Sequence, residues 1–139
     1  MFYVNTEEIE IDAPPAKVWE AMTDLDSFPK WNPLSPKAKG ELREGATLKG
    51  QLQVGALKVP FFPKLETVRP NEEFRWRGGV PGVFVADHRI IIDDLGEGRS
   101  RVRHHEEFTG VAAMGGPAKK LTVHIHDRYN KALKRYVES

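Results

Sequence analysis

Residues 115–139 read GGPAKKLTVHIHDRYNKALKRYVES, and this stretch decides the fold. Gly115-Gly116-Pro117 predicts a break followed by a proline at the first turn of a helix, where a missing N–H costs no hydrogen bond. From there apolar residues recur every three or four positions, which predicts a helix with one apolar face. That face is predicted to comprise Ala118, Leu121, Ile125, Tyr129, Ala132 and Tyr136, widened by Leu133 and Val137. A helix of about 22 residues spans roughly 33 Å, so it crosses a small domain and needs a cover.

The composition limits the classes of protein to which the chain can belong. It has 139 residues, no cysteine and a formal net charge of +1. This length fits one domain over residues 1–139, and the lack of cysteine removes disulfides, thiolate nucleophiles and cysteine-ligated metals. Because the charges nearly cancel and no apolar run approaches the roughly 18 residues of a membrane span, we expect no nucleic-acid partner and no integral membrane segment. A cytoplasmic location is the default expectation.

Most of the chain before the terminal helix reads as antiparallel strand. The predicted segments are a strand over 3–12, a short helix that begins near Pro14, a helical turn over 25–30, an irregular strand between 34 and 45, and strands over 48–54, 57–68, 73–77, 83–95 and 99–110. Pro60 and Pro63 predict an edge position, a bulge or an interruption, and residues 78–82 predict a loop. The fold class is therefore α+β, with about six to seven strands in an antiparallel sheet, a long C-terminal helix, and one or two short helices after strand 1.

The turn at Gly96-Glu97-Gly98 sets the register of the last two strands. A turn centred on Glu97 predicts the pairs His88–Glu106, Ile90–His104, Ile92–Val102 and Ala86–Phe108, all on one face. We expect that face to be buried, because the opposite face carries mainly charged residues. His88 and Glu106 would then lie opposite each other near Trp76, where apolar surroundings tune a general acid or base. The alternative is a buried His–Glu pair that satisfies its own hydrogen bonds and has no catalytic role.

The sequence predicts neither a metal site nor a cofactor. His104 and His105 are adjacent on a strand, so their side chains point to opposite faces, and His124 and His126 are two apart on a helix and also diverge. No HExxH pattern occurs, and the glycines have neither P-loop nor dinucleotide-binding spacing.

Several short stretches carry a family resemblance. They are IDAPPAKVW at 11–19, FPKWNP at 28–33, VRPN at 68–71, FRWRG at 74–78, HRIII at 88–92, EEFTG at 106–110 and NKALKRYVE at 130–138. In this order they resemble the START-like (SRPBCC) superfamily, and more narrowly its bacterial polyketide cyclase/dehydrase and lipid-transport-like branch. The resemblance implies the helix-grip fold, in which a curved antiparallel sheet wraps around a long C-terminal helix and encloses a deep hydrophobic cavity.

We expect the protein to bind a small hydrophobic or amphipathic molecule, such as a lipid or a polyketide-like compound, in this cavity. The candidate ligand-binding residues are Trp31, Asn32, Phe74, Trp76, His88, Ile90, Glu106, Phe108, Leu121, Ile125 and Tyr129. One alternative is an enzyme of the cyclase/dehydratase type that uses His88 and Glu106 as acid and base. A second is an interaction module like the co-chaperones that share the fold. The chain is expected to be a monomer or a homodimer.

Overall fold

A computed structural model describes residues 2–113 and 116–139 of the chain. These residues form nine strands, three α-helices and two short 3-10 turns. The strands are β1 (Phe2–Asn5), β2 (Ile9–Ile11), β3 (Lys37–Lys39), β4 (Lys49–Val54), β5 (Leu57–Phe61), β6 (Lys64–Arg69), β7 (Glu73–Val80), β8 (Phe84–Gly96) and β9 (Arg99–Thr109). The helices are α1 (Pro15–Thr23), α2 (Phe28–Trp31) and α3 (Gly116–Glu138), and the 3-10 turns cover Leu25–Ser27 and Val111–Ala113.

The strands form two antiparallel sheets. The main sheet has six strands in the order β1-β9-β8-β7-β6, with β2 also paired to β9, and β3, β4 and β5 form a small sheet. The sheets meet at the Thr47–Lys64 bridge and at a hydrogen bond of 2.9 Å from the Leu48 N–H to the Pro63 carbonyl. α3 packs against β1, β2 and α1. The predicted α+β helix-grip architecture is confirmed, with the strands divided between two sheets rather than joined in one.

The predicted register of the β8–β9 hairpin is confirmed. The turn residues Gly96, Glu97 and Gly98 have φ angles of 78°, 55° and 75°. The observed pairs include His88–Glu106, Ile90–His104, Ile92–Val102 and Ala86–Phe108. All eight of these residues are buried, as predicted. β7 continues the same face, because Trp76 pairs with His88.

Three predicted segments differ in their bounds. The first strand is divided into β1 and β2 by residues 6–8. The loop predicted at 78–82 starts later, because β7 continues to Val80. Gly79 is part of this strand and lies so close to the backbone of Phe84 that a Cβ would collide with it. Pro63 interrupts the strand predicted over 57–68, whereas Pro60 lies within β5. The halves of the predicted strand, β5 and β6, separated at Phe62-Pro63, are edge strands of different sheets.

The buried face of α3 is rotated relative to the prediction. Its buried residues are Thr122, His126, Tyr129, Asn130, Leu133 and Val137. The prediction is therefore wrong at Leu121, which is 46% exposed, and only partly right at Ile125, which is half-buried. The reason is that this half of the helix faces polar side chains of β9 rather than aliphatic ones. The break predicted at Gly115 and the side chain of Ala118 lie outside the described part of the chain.

Most buried apolar side chains belong to one core cluster that joins α1, α2, the main sheet and α3. A smaller cluster of Val4, Ala86, Phe108 and Ala113 lies at the other end of the sheet. None of the helices in residues 2–113 and 116–139 is long and apolar enough to cross a membrane.

Close backbone packing makes Gly110 less replaceable than a glycine such as Gly45, which is constrained by its positive φ alone. Gly110 has a φ of 106°, and a Cβ there would collide with the carbonyl of Val83. Gly45 has a φ of 86°, but its Cβ would meet no atom within 4 Å. We expect Gly110→Ala to lower the free energy of unfolding by roughly 3 kcal/mol or more, and Gly45→Ala by about 1 kcal/mol for the left-handed conformation alone. Urea denaturation followed by circular dichroism measures both changes, and equal losses would contradict the packing argument.

Candidate functional site

A cavity of about 70 Å³ lies between the main sheet, the small sheet, the α1–α2 region and α3. Aliphatic and aromatic side chains form most of its wall, including Met22 from α1 and Leu52 from β4. The residues predicted as ligand-binding that line it are Asn32, Phe74, Trp76, His88, Ile90 and Tyr129. Pockets for small ligands usually measure roughly 300–1,000 Å³, so the cavity is smaller than the resemblance implied. Aromatic rings occupy part of the space, because Phe61 packs edge-on against Trp76 with ring centroids 5.0 Å apart.

The other five predicted residues do not line the cavity. Trp31 is buried in the core, where its ring contacts aromatic residues of α3. Phe108 belongs to the smaller core cluster. Leu121 is exposed and Ile125 is half-buried, while Glu106 is buried beside a group of histidines.

Three histidines from three different elements meet at one end of the cavity. His88 on β8 lines it, whereas His104 on β9 and His126 on α3 lie behind it. The ring centroids are 5.1, 4.7 and 4.6 Å apart, and the ring of His126 stacks on the other two with interplanar angles of 20° and 22°. One ring nitrogen of each histidine lies within 4.8 Å of the others, so the group is a candidate cation site.

A hydrogen-bond chain fixes the tautomers of two of these histidines. The amide oxygen of Asn130 accepts a hydrogen bond of 2.6 Å from Nε2–H of His104. A neutral imidazole carries one proton, so Nδ1 of His104 is an acceptor. It accepts a hydrogen bond of 2.8 Å from Nε2–H of His88. Nδ1 of His88 is consequently left unprotonated. A side chain of α3 thus sets the tautomer of a residue that lines the cavity.

Glu106 bonds to His126 rather than to His88. Its Oε1 lies 2.8 Å from Nε2 of His126, while its Oε2 is 3.9 Å from Nδ1 of His88. The predicted His88–Glu106 pair is therefore adjacent across the strands without a hydrogen bond. Burial raises the pKa of Glu106 to about 8, and the negative charge of Asp87 adds to the shift. At neutral pH the protonated carboxyl group donates its hydrogen bond to His126.

Burial keeps the three histidines uncharged. Burial lowers the pKa of His126 to about 4. It also lowers the pKa of His104 to about 3. For His104, repulsion from a protonated His126 lowers the pKa further, whereas the hydrogen bond to Asn130 raises it. The pKa of His88 lies well below its usual range, first because of burial and then because of the neighbouring histidines. A neutral cluster avoids the cost of placing unpaired charge in apolar surroundings.

Unpartnered polar atoms are concentrated in this cluster. Among the described residues, four buried side-chain nitrogen or oxygen atoms have no hydrogen-bond partner, and three of them are His88 Nδ1, His126 Nδ1 and Asn130 Nδ2. Buried groups of this kind are rare, and each usually marks a bound water, an ion or a functional role.

Sequence reasoning missed His104, His126 and Asn130 as parts of the site. The predicted register already places His104 on the buried face, two residues from Glu106, and that was the available signal. His126 and Asn130 are four apart on one side of α3, but the apolar pattern placed the buried face one residue away.

The comparisons with known proteins agree with this fold. A family profile described as polyketide cyclase/dehydrase and lipid transport matches residues 4–138. The chain belongs to this family. No curated protein matches its sequence.

Three solved structures have a similar fold. A START superfamily protein from Mycobacterium smegmatis has a TM-score of 0.82 at 19% identity, covering 98% of this chain and 97% of that one. Protein CV1439 from Chromobacterium violaceum has a TM-score of 0.79 at 20% identity, covering 100% of this chain and 99% of that one. The di-domain ARO/CYC BexL from the BE-7585A biosynthetic pathway has a TM-score of 0.77 at 18% identity, covering 99% of this chain and 47% of that one. At these identities the likeness shows the fold alone.

The hydrogen-bond chain predicts a tautomer state that NMR can measure. In long-range ¹H–¹⁵N spectra near neutral pH, we expect both His88 and His104 as neutral Nε2–H tautomers. Asn130→Leu removes the acceptor, so both histidines should lose this preference. The matched control is Asn5→Leu, because the Asn5 oxygen lies 2.6 Å from Nδ1 of His105 on the opposite face of β9, and only His105 should respond. An Nδ1–H tautomer at His88 in the unaltered protein would contradict the assignment.

Proposed function

We propose that this protein binds a small hydrophobic or amphipathic molecule, such as a lipid or a polyketide-like compound, in the cavity beside α3. The observation that carries the proposal is the cavity wall, which is apolar except at a few places and includes one buried, hydrogen-bonded histidine. An apolar pocket with a few fixed polar groups is the usual form of a small-molecule site. Membership of a family described as polyketide cyclase/dehydrase and lipid transport supports the same class of ligand. A cytoplasmic location stays a prediction from the sequence.

A ligand larger than the cavity can bind only if one wall moves outward. The small sheet is the wall best suited to this movement. It is attached to the main sheet at the Thr47–Lys64 bridge and by a few neighbouring backbone hydrogen bonds. The face of β5 that supplies Phe61 to the cavity continues outward as exposed Val59 and Leu57. Displacement of this sheet would enlarge the cavity and leave the pairing of the main sheet intact.

The polar part of an amphipathic ligand has few possible partners in the cavity. The lining residues with polar side chains are Asn32, Ser35, His88 and Tyr129. The Asn32 oxygen already accepts the backbone N–H groups of Leu34 and Ser35, both at 3.0 Å. Burial raises the pKa of Tyr129, so its hydroxyl group stays protonated and can donate. His88 and Tyr129 are therefore the residues proposed to orient the ligand.

Filling the cavity should weaken binding. Leu52→Trp places an indole ring at the cavity wall, and we expect it to weaken binding of the amphipathic probe 1-anilinonaphthalene-8-sulfonate by roughly tenfold or more, because ligand and side chain cannot share the space. Probe fluorescence measures the affinity, and native mass spectrometry of the purified protein detects any co-purifying molecule.

The matched control is Val80→Trp, which adds the same ring at a position that is 60% exposed and away from the cavity. It should bind the probe like the unaltered protein. Equal affinity in Leu52→Trp and the unaltered protein, with both variants folded, would place the binding outside the cavity and contradict the proposal.

A second candidate is an enzyme of the cyclase/dehydratase type. The observation that favours it is that His88 lines the cavity and is backed by His104 and Asn130, an arrangement that orients a general base. Glu106 does not line the cavity, so direct proton transfer is assigned to His88 alone. Glutamine can keep a hydrogen bond to the ligand but cannot accept a proton as a base, so His88→Gln should abolish turnover of a polyketide-like substrate and weaken binding far less. Parallel loss of binding and turnover would count against catalysis. The co-chaperone-like role stays a prediction from the sequence.

A further inference from the structure

We propose that His88, His104 and His126, together with Glu106, bind a divalent transition-metal ion, for which Zn²⁺ is the best-suited candidate. The inference goes beyond ligand binding in the cavity and does not depend on it. It also departs from the expectation drawn from the sequence, which compared only histidines that are neighbours along the chain.

The donor set fits zinc. Neutral imidazole nitrogens and a carboxylate oxygen are standard zinc ligands, and four of them complete a tetrahedral site. Glu106 is protonated in the metal-free protein. It must release this proton to become a ligand, so zinc binding is coupled to proton release. The three nitrogens already lie within 4.8 Å of one another, and Glu106 Oε1 is 2.8 Å from His126. All four side chains are buried, so few water molecules compete with them for the ion.

The distances require only small movements. Zinc–nitrogen bonds of about 2.0–2.1 Å at a tetrahedral angle place two ligand nitrogens about 3.3 Å apart. Nε2 of His88 and Nδ1 of His104 are 2.8 Å apart and share one proton. A zinc ion would take the place of that proton, His88 would become the Nδ1–H tautomer and stay neutral, and the two nitrogens would move apart by about half an ångström.

An outer partner for one ligand is already present. Metal-bound histidines usually donate their second N–H to a carbonyl or carboxylate oxygen, which fixes the ring for binding. Nε2–H of His104 donates to the amide oxygen of Asn130 at 2.6 Å, so Nδ1 of His104 is held as the ligand atom. His88 lines the cavity and provides the route by which an ion enters.

One feature of the site opposes binding and limits its strength. A metal ion binds in the plane of an imidazole ring, but the ring of His126 is nearly parallel to those of His88 and His104, at 20° and 22°. The His126 ring must therefore turn before its nitrogen can join the others. Because this rotation costs free energy, we expect micromolar affinity and a protein that folds without the metal.

The unaltered protein, without a polyhistidine tag and stripped of metal with EDTA, provides the first test. Isothermal titration calorimetry with ZnCl₂ should give one site per chain. Imidazole ¹⁵N spectra during the same titration should change at the three buried histidines and not at His105 or His124. Because the chain has five histidines and no cysteine, these signals cover every imidazole that could bind zinc, and no thiolate competes with them. The absence of saturable binding up to millimolar zinc, or changes confined to His105 and His124, would overturn the proposal.

Variants give an independent test. His104→Gln should weaken zinc binding roughly tenfold or more, whereas His105→Gln and His124→Gln should change it by less than about twofold. Circular dichroism of the metal-free proteins checks folding, and if His104→Gln does not fold, the ¹⁵N spectra of the unaltered protein decide. Probe binding to the cavity is measured without zinc, so failure of the metal site and failure of ligand binding give different results. Equal zinc affinity in a folded His104→Gln variant would overturn the assignment.

Discussion

The buried face of the β8–β9 hairpin carries the polar side chains His88, His104 and Glu106 near α3, and the position of this helix depends on them. Ser100, on the same face, donates to the carbonyl of Ala13 instead. A buried polar group without a partner costs about 1–3 kcal/mol, and the aliphatic residues beside His88, His104 and Glu106 on the sheet cannot supply one. The partners come from α3, where His126 and Asn130 lie one helical turn apart and reach Glu106 and His104. The helix is thereby held in the rotation that brings these two residues to the sheet. The apolar residues of its C-terminal half complete the core in the same orientation.

The same constraint gives the cavity one polar end. Apart from Asn32, Ser35 and Tyr129, the rest of its wall is formed by aliphatic and aromatic side chains, and His88 is the member of the polar network that lines it. Burial keeps Glu106 protonated and the histidines neutral, so the polar end adds hydrogen-bonding capacity without adding a net charge. An apolar molecule with one polar group is matched by such a surface better than an ion or a fully polar metabolite is.

The parts of this structure that the sequence predicted are those fixed by local pattern. The glycine turn and the alternation of the last two strands determine the register that places His88 opposite Glu106. Pro63 separates the edge strands for the same local reason, the missing N–H. Apolarity alone predicts Leu121 on the buried face of α3. The prediction is wrong there because this helix buries polar residues that meet polar partners from β9. The histidine cluster could not be found by examining neighbours, since its members come from three elements separated by 16 and 22 residues along the chain.

The two proposed roles use different parts of the protein but share one residue. Ligand binding depends on movement of the small sheet, which has no part in the histidine cluster, whereas metal binding depends on rotation of His126, which does not line the cavity. His88 belongs to both, because it lines the cavity and its Nε2 lies 2.8 Å from Nδ1 of His104. A group that interacts with two ligands couples their affinities, and thermodynamic linkage makes the coupling equal in both directions. A ligand with an anionic oxygen near His88 would bind more tightly with zinc present, while a purely apolar ligand would have no contact through which to sense the ion. The chemistry of the ligand's polar group therefore decides whether the two sites act as one.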